Sequence, residues 1–296
     1  MYQRILVPLD GSQVAEIVLP YAEDIAARFS GRLVLVSVSD SGAPDSVHLY
    51  GLYLEHVKEQ IQRRLKRYRT KREVKLHSEV LQGKPADEIL RYAADNNINL
   101  IVMASHGLSS RGPWSLGDIA GKVLWAAESP VLLIRTPASK AAVQRKRLVK
   151  KVLVPLDGSE PGKAAIPHAV EIARVLGASL VFLQVLEPIT GWTGAGTSVP
   201  TRSGLGGKAK RRNLTFAYLN DIVKPLEKRG LKISTAVAFG SPADQILDYA
   251  KAKSVDVIAM STHGRSGVGR WVFGSVTGKV LHAGDAAVLV VRAAKT

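Results

Sequence analysis

Val7-Pro-Leu-Asp-Gly-Ser12 returns as Val154-Pro-Leu-Asp-Gly-Ser159, and the chain between and beyond them follows one course twice. Gly83-Lys-Pro-Ala-Asp-Glu-Ile-Leu-Arg-Tyr-Ala93 is answered by Gly240-Ser-Pro-Ala-Asp-Gln-Ile-Leu-Asp-Tyr-Ala250. Met103-Ala-Ser-His-Gly107 is answered by Met260-Ser-Thr-His-Gly264, and Gly121-Lys-Val-Leu124 by Gly278-Lys-Val-Leu281. The offset is 147 between Asp10 and Asp157 but 157 between His106 and His263, so the second copy gains about ten residues between those points. A period this long exceeds the roughly 50 residues of a solenoid unit and has the size of a whole domain. The chain reads as one domain, duplicated.

Each copy alternates short apolar runs with stretches of helical pattern. In the first, strands are expected at 4–9, 33–38, 74–81, 99–104 and 131–135; in the second, at 151–156, 180–185, 232–239, 255–260 and 287–292. Between the first five lie amphipathic stretches such as Glu16–Phe29, Leu52–Arg69, Ala86–Asn96 and Gly117–Glu128. Strands rich in Val, Ile and Leu, separated by helices, argue for a parallel sheet covered on both faces, an α/β fold. Open sheets of this kind bind ligands beyond the C-terminal ends of their strands, where the strand order reverses. The Gly, Ser and Asp residues of both copies gather at those ends.

The reading divides the chain into a first domain over 1–137, a basic linker over 138–149 and a second domain over 150–296. The extra residues of the second copy fall in Thr190–Asn213, rich in Gly, Ser, Thr and basic residues, and read as a mobile loop near the binding edge. Its Arg202, Lys208, Lys210, Arg211 and Arg212 are candidates to approach phosphates. The short apolar strands Val131–Arg135 and Val288–Arg292 invite edge-to-edge pairing. The two domains are therefore expected to pack as a pseudo-twofold pair within the chain, which also leaves room for a homodimer of chains.

Composition narrows the function. The chain has no cysteine, which excludes disulfides, thiolate chemistry and Cys-based metal sites. No apolar stretch approaches the roughly 18 residues of a membrane span, and the N-terminus enters a strand at once, so a cytoplasmic location is expected. The formal net charge is +16, with 21 Lys/Arg against 15 Asp/Glu in residues 1–148 and 20 against 10 in 149–296. Basic runs at Lys58–Lys75, Arg145–Lys151 and Lys208–Arg212 could draw nucleic acid, an acidic surface or nucleotide phosphates. They also read as a solvated helix face, a linker and a loop, and no nucleic-acid motif accompanies them.

Ser261-Thr-His-Gly264, nine residues, then Gly274-Ser275 carries the strongest local chemistry. It runs from the end of a strand to the start of a helix, where unpaired N–H groups and a partial positive charge bind phosphate. Glycine lets backbone approach a ligand closely, Ser275 adds a hydroxyl, and Arg265 and Arg270 add charge. The plain alternative is a Gly-rich turn with Ser as a helix N-cap. Asp157, just after the first strand, can accept from ribose hydroxyls or cap the following helix. Pro155 breaks the ladder at the strand end. His106 and His263 lack a nucleophile partner or metal-ligand spacing and read as loop-fixing residues. There is no Gly-Lys-Ser/Thr phosphate loop.

With these residues quoted, the chain resembles a tandem universal stress protein over nearly its full length. That resemblance implies two Rossmann-like domains, each a five-stranded parallel sheet in the order 3-2-1-4-5, and an adenine nucleotide, ATP or a relative, with Mg accompanying its phosphates. It places Pro155, Asp157 and Val185 around adenosine, and Met260, Ser261, Gly264, Gly274, Ser275 and Val276 around base, ribose and phosphates. Ser261 stands where the family's motif has its first glycine. The first copy departs twice, with Ala104 at that glycine and Asp118 where Ser or Thr should follow Gly117. A carboxylate at the phosphate seat opposes the ligand, so binding is expected chiefly in the second domain. The implied role is a stress-response regulator or sensor. A slow ATPase or phosphotransferase using Asp157, and a nucleic-acid or anionic-surface binder using the basic runs, stand as rivals.

Overall fold

In the computed structural model, described over residues 1–41, 43–66, 74–107, 116–135, 149–188, 204–228, 230–262 and 274–293, the two copies build the same unit. The first holds β1 (Arg4–Pro8), α1 (Leu19–Phe29), β2 (Arg32–Ser39), α2 (Pro44–Leu65), β3 (Lys75–Gln82), α3 (Pro85–Asp95), β4 (Leu100–Ala104), α4 (Asp118–Ala126) and β5 (Val131–Ile134). The second holds β6 (Lys151–Leu156), α5 (Ala165–Leu176), β7 (Ser179–Leu186), α6 (Gly204–Glu227), β8 (Ile233–Phe239), α7 (Pro242–Ala252), β9 (Val257–Ser261), α8 (Ser275–Ala283) and β10 (Ala287–Val291). A 3-10 turn precedes α1 (Ala15–Val18) and another precedes α5 (Pro161–Ala164).

Local chemistry sets these bounds. α2, α3 and α7 each start with proline in the first turn, where its missing N–H costs no intrahelical bond. α5 stops at Gly177, whose φ of 62° closes the helix with a left-handed residue. Central strands carry apolar side chains on both faces: all five residues of β4 and of β9 are buried.

The strands form one ten-stranded sheet in the order β3-β2-β1-β4-β5-β10-β9-β6-β7-β8. Each half keeps the order 3-2-1-4-5, parallel throughout. The halves are not two separate sheets, because β5 pairs antiparallel with β10, with Leu132 opposite Leu289 and Val131 opposite Val290. Each of these apolar strands would otherwise be an open edge, and pairing satisfies both ladders at once.

Two cores follow, one per face, and each runs across both halves. One gathers Ile5, Val7, Leu35, Phe182, Leu219 and Leu289; the other gathers Leu6, Ile101, Leu133, Leu183, Ile258 and Val288. On the first face Tyr2 is fully buried, and its hydroxyl lies 2.8 Å from His168 Nδ1 on α5. On the second face Arg135 donates to Leu281 O (2.5 Å) and His282 O (3.0 Å) at the end of α8. Arg292 donates to Ala126 O (3.3 Å) and Ala127 O (3.5 Å) at the end of α4. Each half thus caps the last helix of the other.

Two expectations need correction. The stretch Thr190–Asn213 is not all loop, since α6 begins at Gly204 and takes in Lys208, Lys210, Arg211 and Arg212. Residues 189–203, Arg202 among them, lie outside the described residues. Burial of Thr215, Leu219 and Val223 against the sheet outweighs the poor helix propensity of Gly204-Leu-Gly-Gly207. α2 begins at Pro44, eight residues before the expected start, with Leu54, Val57 and Ile61 as its buried face.

Candidate functional site

β6 lies between β7 and β9, so the chain leaves β6 toward one neighbour and returns on the other. The crevice beyond the C-terminal ends of β6 and β9 is therefore the switch point of the second half. Pro155 is the penultimate residue of β6, opposite Leu183 of β7; Val185 is the penultimate residue of β7, and Met260 and Ser261 close β9. Gly274 is the N-cap of α8, and Ser275 and Val276 are its first two residues. The fold thus brings the described candidates to one edge of three adjacent strands and one helix start. Gly264, Arg265, Arg270 and His263 lie outside the described residues.

Asp157 begins the turn out of β6. Its Oδ1 accepts from Ser159 N (3.0 Å) and Ser159 Oγ (2.7 Å), and Ser159 Oγ accepts from Gly162 N (3.1 Å). Gly158 has φ of 86°, which a side chain would strain, and this turn is what brings the Ser159 N–H back to the carboxylate. The first copy repeats the turn: Asp10 Oδ1 accepts from Ser12 N (3.0 Å) and Ser12 Oγ (2.6 Å), with Gly11 at φ 84°. There a Cβ added at Gly107 would collide with Asp10 Oδ2, so the loops after β1 and β4 lie against one another.

The start of α8 is tied to the end of β9. Gly274 N donates to Thr262 O (3.0 Å), Thr262 N to Val291 O (2.9 Å), and Thr277 Oγ1 to Ser261 O (3.1 Å). Ser275 is exposed and no side chain caps the helix, so the reading of serine as an N-cap gives way: Gly274 holds that position. Among the described residues, a Cβ at Gly274 would meet only Thr262 O, at 3.8 Å. First-turn N–H groups of a helix have no intrahelical acceptor, and with the helix dipole they form a seat for an anion. In the first copy Gly117 N donates likewise to Ser105 O (2.9 Å), but the first residue of α4 is Asp118. The first residue of that helix thus carries an exposed carboxylate where the second copy has an exposed hydroxyl.

His106 is buried, with Nδ1 2.9 Å from Ser105 Oγ. Burial, and then the charge of Arg135, hold its imidazole below the usual histidine range. That geometry fits a residue fixing its loop. Two basic residues of α6 have partners: Arg211 Nη1 donates to Glu187 O (3.0 Å) just after β7, and Arg212 lies over the Phe216 ring.

Sequence reasoning missed three residues. Thr277 ties α8 to β9, and a polar residue three places past Gly274 was its signal. Gln184 is a buried amide in an apolar strand, and its Oε1 has no hydrogen-bond partner. Arg135 was seen only as the end of a strand, although it reaches the far end of the helix that carries Ser275. Among the described residues no cluster of three or more His, Asp or Glu could hold a metal ion, and no helix is long and apolar enough to cross a membrane.

Comparison with known proteins agrees with this architecture. A universal stress protein of Synechocystis is 22% identical over 98% of this chain and 100% of its own length. One from Methanocaldococcus jannaschii is 33% identical over 46% of this chain and 84% of its own length. The crystal structure of a universal stress protein from Archaeoglobus fulgidus matches 99% of this chain and 100% of its own, with a TM-score of 0.67 at 20% identity, a likeness of fold. The family model for universal stress proteins matches residues 1–135 and again 149–292. The chain therefore belongs to the universal stress protein family, as a tandem pair of its domains.

Proposed function

We propose that the protein binds an adenine nucleotide, ATP in the first instance, chiefly through its second domain, and acts as a stress-response regulator rather than as a vigorous enzyme. The observation that carries the reading is the contrast at two equivalent helix starts: exposed Ser275 after Gly274 on α8, and Asp118 after Gly117 on α4. One helix start begins with a hydroxyl, which a phosphate can approach, whereas the other begins with a carboxylate, which would repel it. In the second domain Ser275, Val276 and Gly274 would take the phosphates, with Gly264 and Arg265 supplying further backbone and charge. Asp157 would take the ribose, and Pro155, Val185, Met260 and Ser261 would surround the nucleoside. Mg would travel with the phosphates, which supply most of its ligands when it binds through a nucleotide.

The domains of this proposal are 1–137 and 150–296 joined by the basic linker 138–149, and the β5–β10 pairing is their pseudo-twofold contact within the chain. The test is calorimetry of the full chain with ATP, together with mass spectrometry of whatever nucleotide co-purifies. About one ATP per chain supports the reading. Two equal sites, or none, overturn it. Robust turnover lost in Asp157→Ala would replace it with the phosphotransferase reading.

A further inference from the structure

We propose that Arg135, a residue of the first domain, is a positioning residue for the phosphate seat of the second; the inference rests on the nucleotide reading above. Arg135 stands just past β5 and is buried, a place where a guanidinium is tolerated only when its donors are satisfied. Two of them are met on α8: Nη1 donates to Leu281 O at 2.5 Å and Nη2 to His282 O at 3.0 Å. Asp285, just beyond α8, adds an attraction to the same guanidinium.

α8 has nine residues and is therefore about 13 Å long. Its far end carries Ser275 and is pinned through Gly274 N to Thr262 O and through Thr277 Oγ1 to Ser261 O. A helix held at both ends cannot slide or tilt along its axis without breaking one set of bonds. Arg135 thus fixes where the first-turn N–H groups point. Its charge sits at the helix C-terminus, where a cation reinforces the helix.

The converse clamp is weaker. Arg292 reaches Ala126 O and Ala127 O of the first domain at 3.3 and 3.5 Å. The helix held by the shorter bonds is the one that begins with Ser275; the helix held by the longer bonds begins with Asp118. The cross-domain clamp and the helix-start chemistry therefore favour the same site.

The experiment is calorimetry of the full chain with ATP and with adenosine, on the unaltered protein and on Arg135→Ala, Arg135→Lys and Arg292→Ala. Arg135→Ala should weaken ATP about fivefold to tenfold and adenosine less than twofold. Arg135→Lys should recover part of the loss, and Arg292→Ala should leave ATP within twofold. Equal losses for ATP and adenosine would show a merely structural role and overturn the proposal, as would no loss, or equal losses for the two arginine variants. If Arg135→Ala does not fold, Arg135→Gln, which keeps a single amide donor, must show the same ATP-specific loss. Failure of the unaltered chain to bind ATP would instead strike at the nucleotide reading itself.

Discussion

Ser275→Asp writes the first domain's solution into the second, and it should move binding and stability in opposite directions. Ser275 is exposed, is the first residue of α8, and makes no side-chain cap hydrogen bond among the described residues. A carboxylate there would stand against the bound phosphates. One pair of unit charges at about 4 Å with an effective dielectric near 20 repels by roughly 4 kcal/mol. Solvent at an exposed helix start screens much of this; retaining a third, about 1.4 kcal/mol, weakens ATP about tenfold. The same carboxylate complements the helix N-terminus and should stabilise the fold by about 0.3–1 kcal/mol. Calorimetry with ATP and a thermal melt without it read the two effects separately. A loss of binding with a fall in melting temperature would mean that the variant merely disrupts the site. Binding unchanged within twofold would refute the assignment of the phosphate seat to α8.

Gly274→Asp should abolish ATP binding while Gly117→Asp leaves stoichiometry and affinity unchanged, as read by the same titration; the reverse pattern would move the site to the first domain. Thr277→Val removes the Thr277–Ser261 bond and should cost about 1 kcal/mol in denaturant unfolding, with ATP weakened beyond what the stability loss explains. Acid should destabilise the chain through His106 and His168, both held below the usual histidine range, chiefly by burial. Because their folded-state affinity for protons is depressed, the unfolded chain binds more protons as pH falls. Their contribution is therefore fully present above about pH 6.5 and is lost as pH falls below it through the folded values. Melts from pH 7.5 to 5 should show that fall, and His168→Gln should flatten it; an unchanged slope would remove His168 from the account.

Much of the fold was legible because duplication let each half check the other. The strand expected at 151–156 is β6 to the residue, and the other nine shift by a residue or two at their ends. Such ends are set by hydrogen bonding rather than by side-chain type. α6 was illegible for another reason. Its first residues, Gly204-Leu-Gly-Gly207, are poor helix formers, and the partners that order the helix are strands far away in sequence, which bury Leu219 and Val223. Pro44 likewise announces the start of α2 only to a reader who already knows that the chain must turn there to cover β2 and β3.

At the site, the sequence disclosed the residues that differ between copies and hid those whose role is relational. Asp118 against Ser275 is visible as a substitution in an aligned repeat, and its electrostatic meaning follows from the helix start alone. Arg135 and Arg292 occupy the same place in their two copies, so comparing copies shows no difference between them. Only the antiparallel seam of β5 and β10 turns each arginine onto the other domain's helix, and only there do the clamps separate into 2.5 and 3.0 Å against 3.3 and 3.5 Å. A helix that begins with a carboxylate would gain less from being fixed precisely than one proposed to present its N–H groups to a ligand. The asymmetry of the seam follows the asymmetry of the two helix starts, which is why the residue most in need of a test for the site proposed in the second domain belongs to the first.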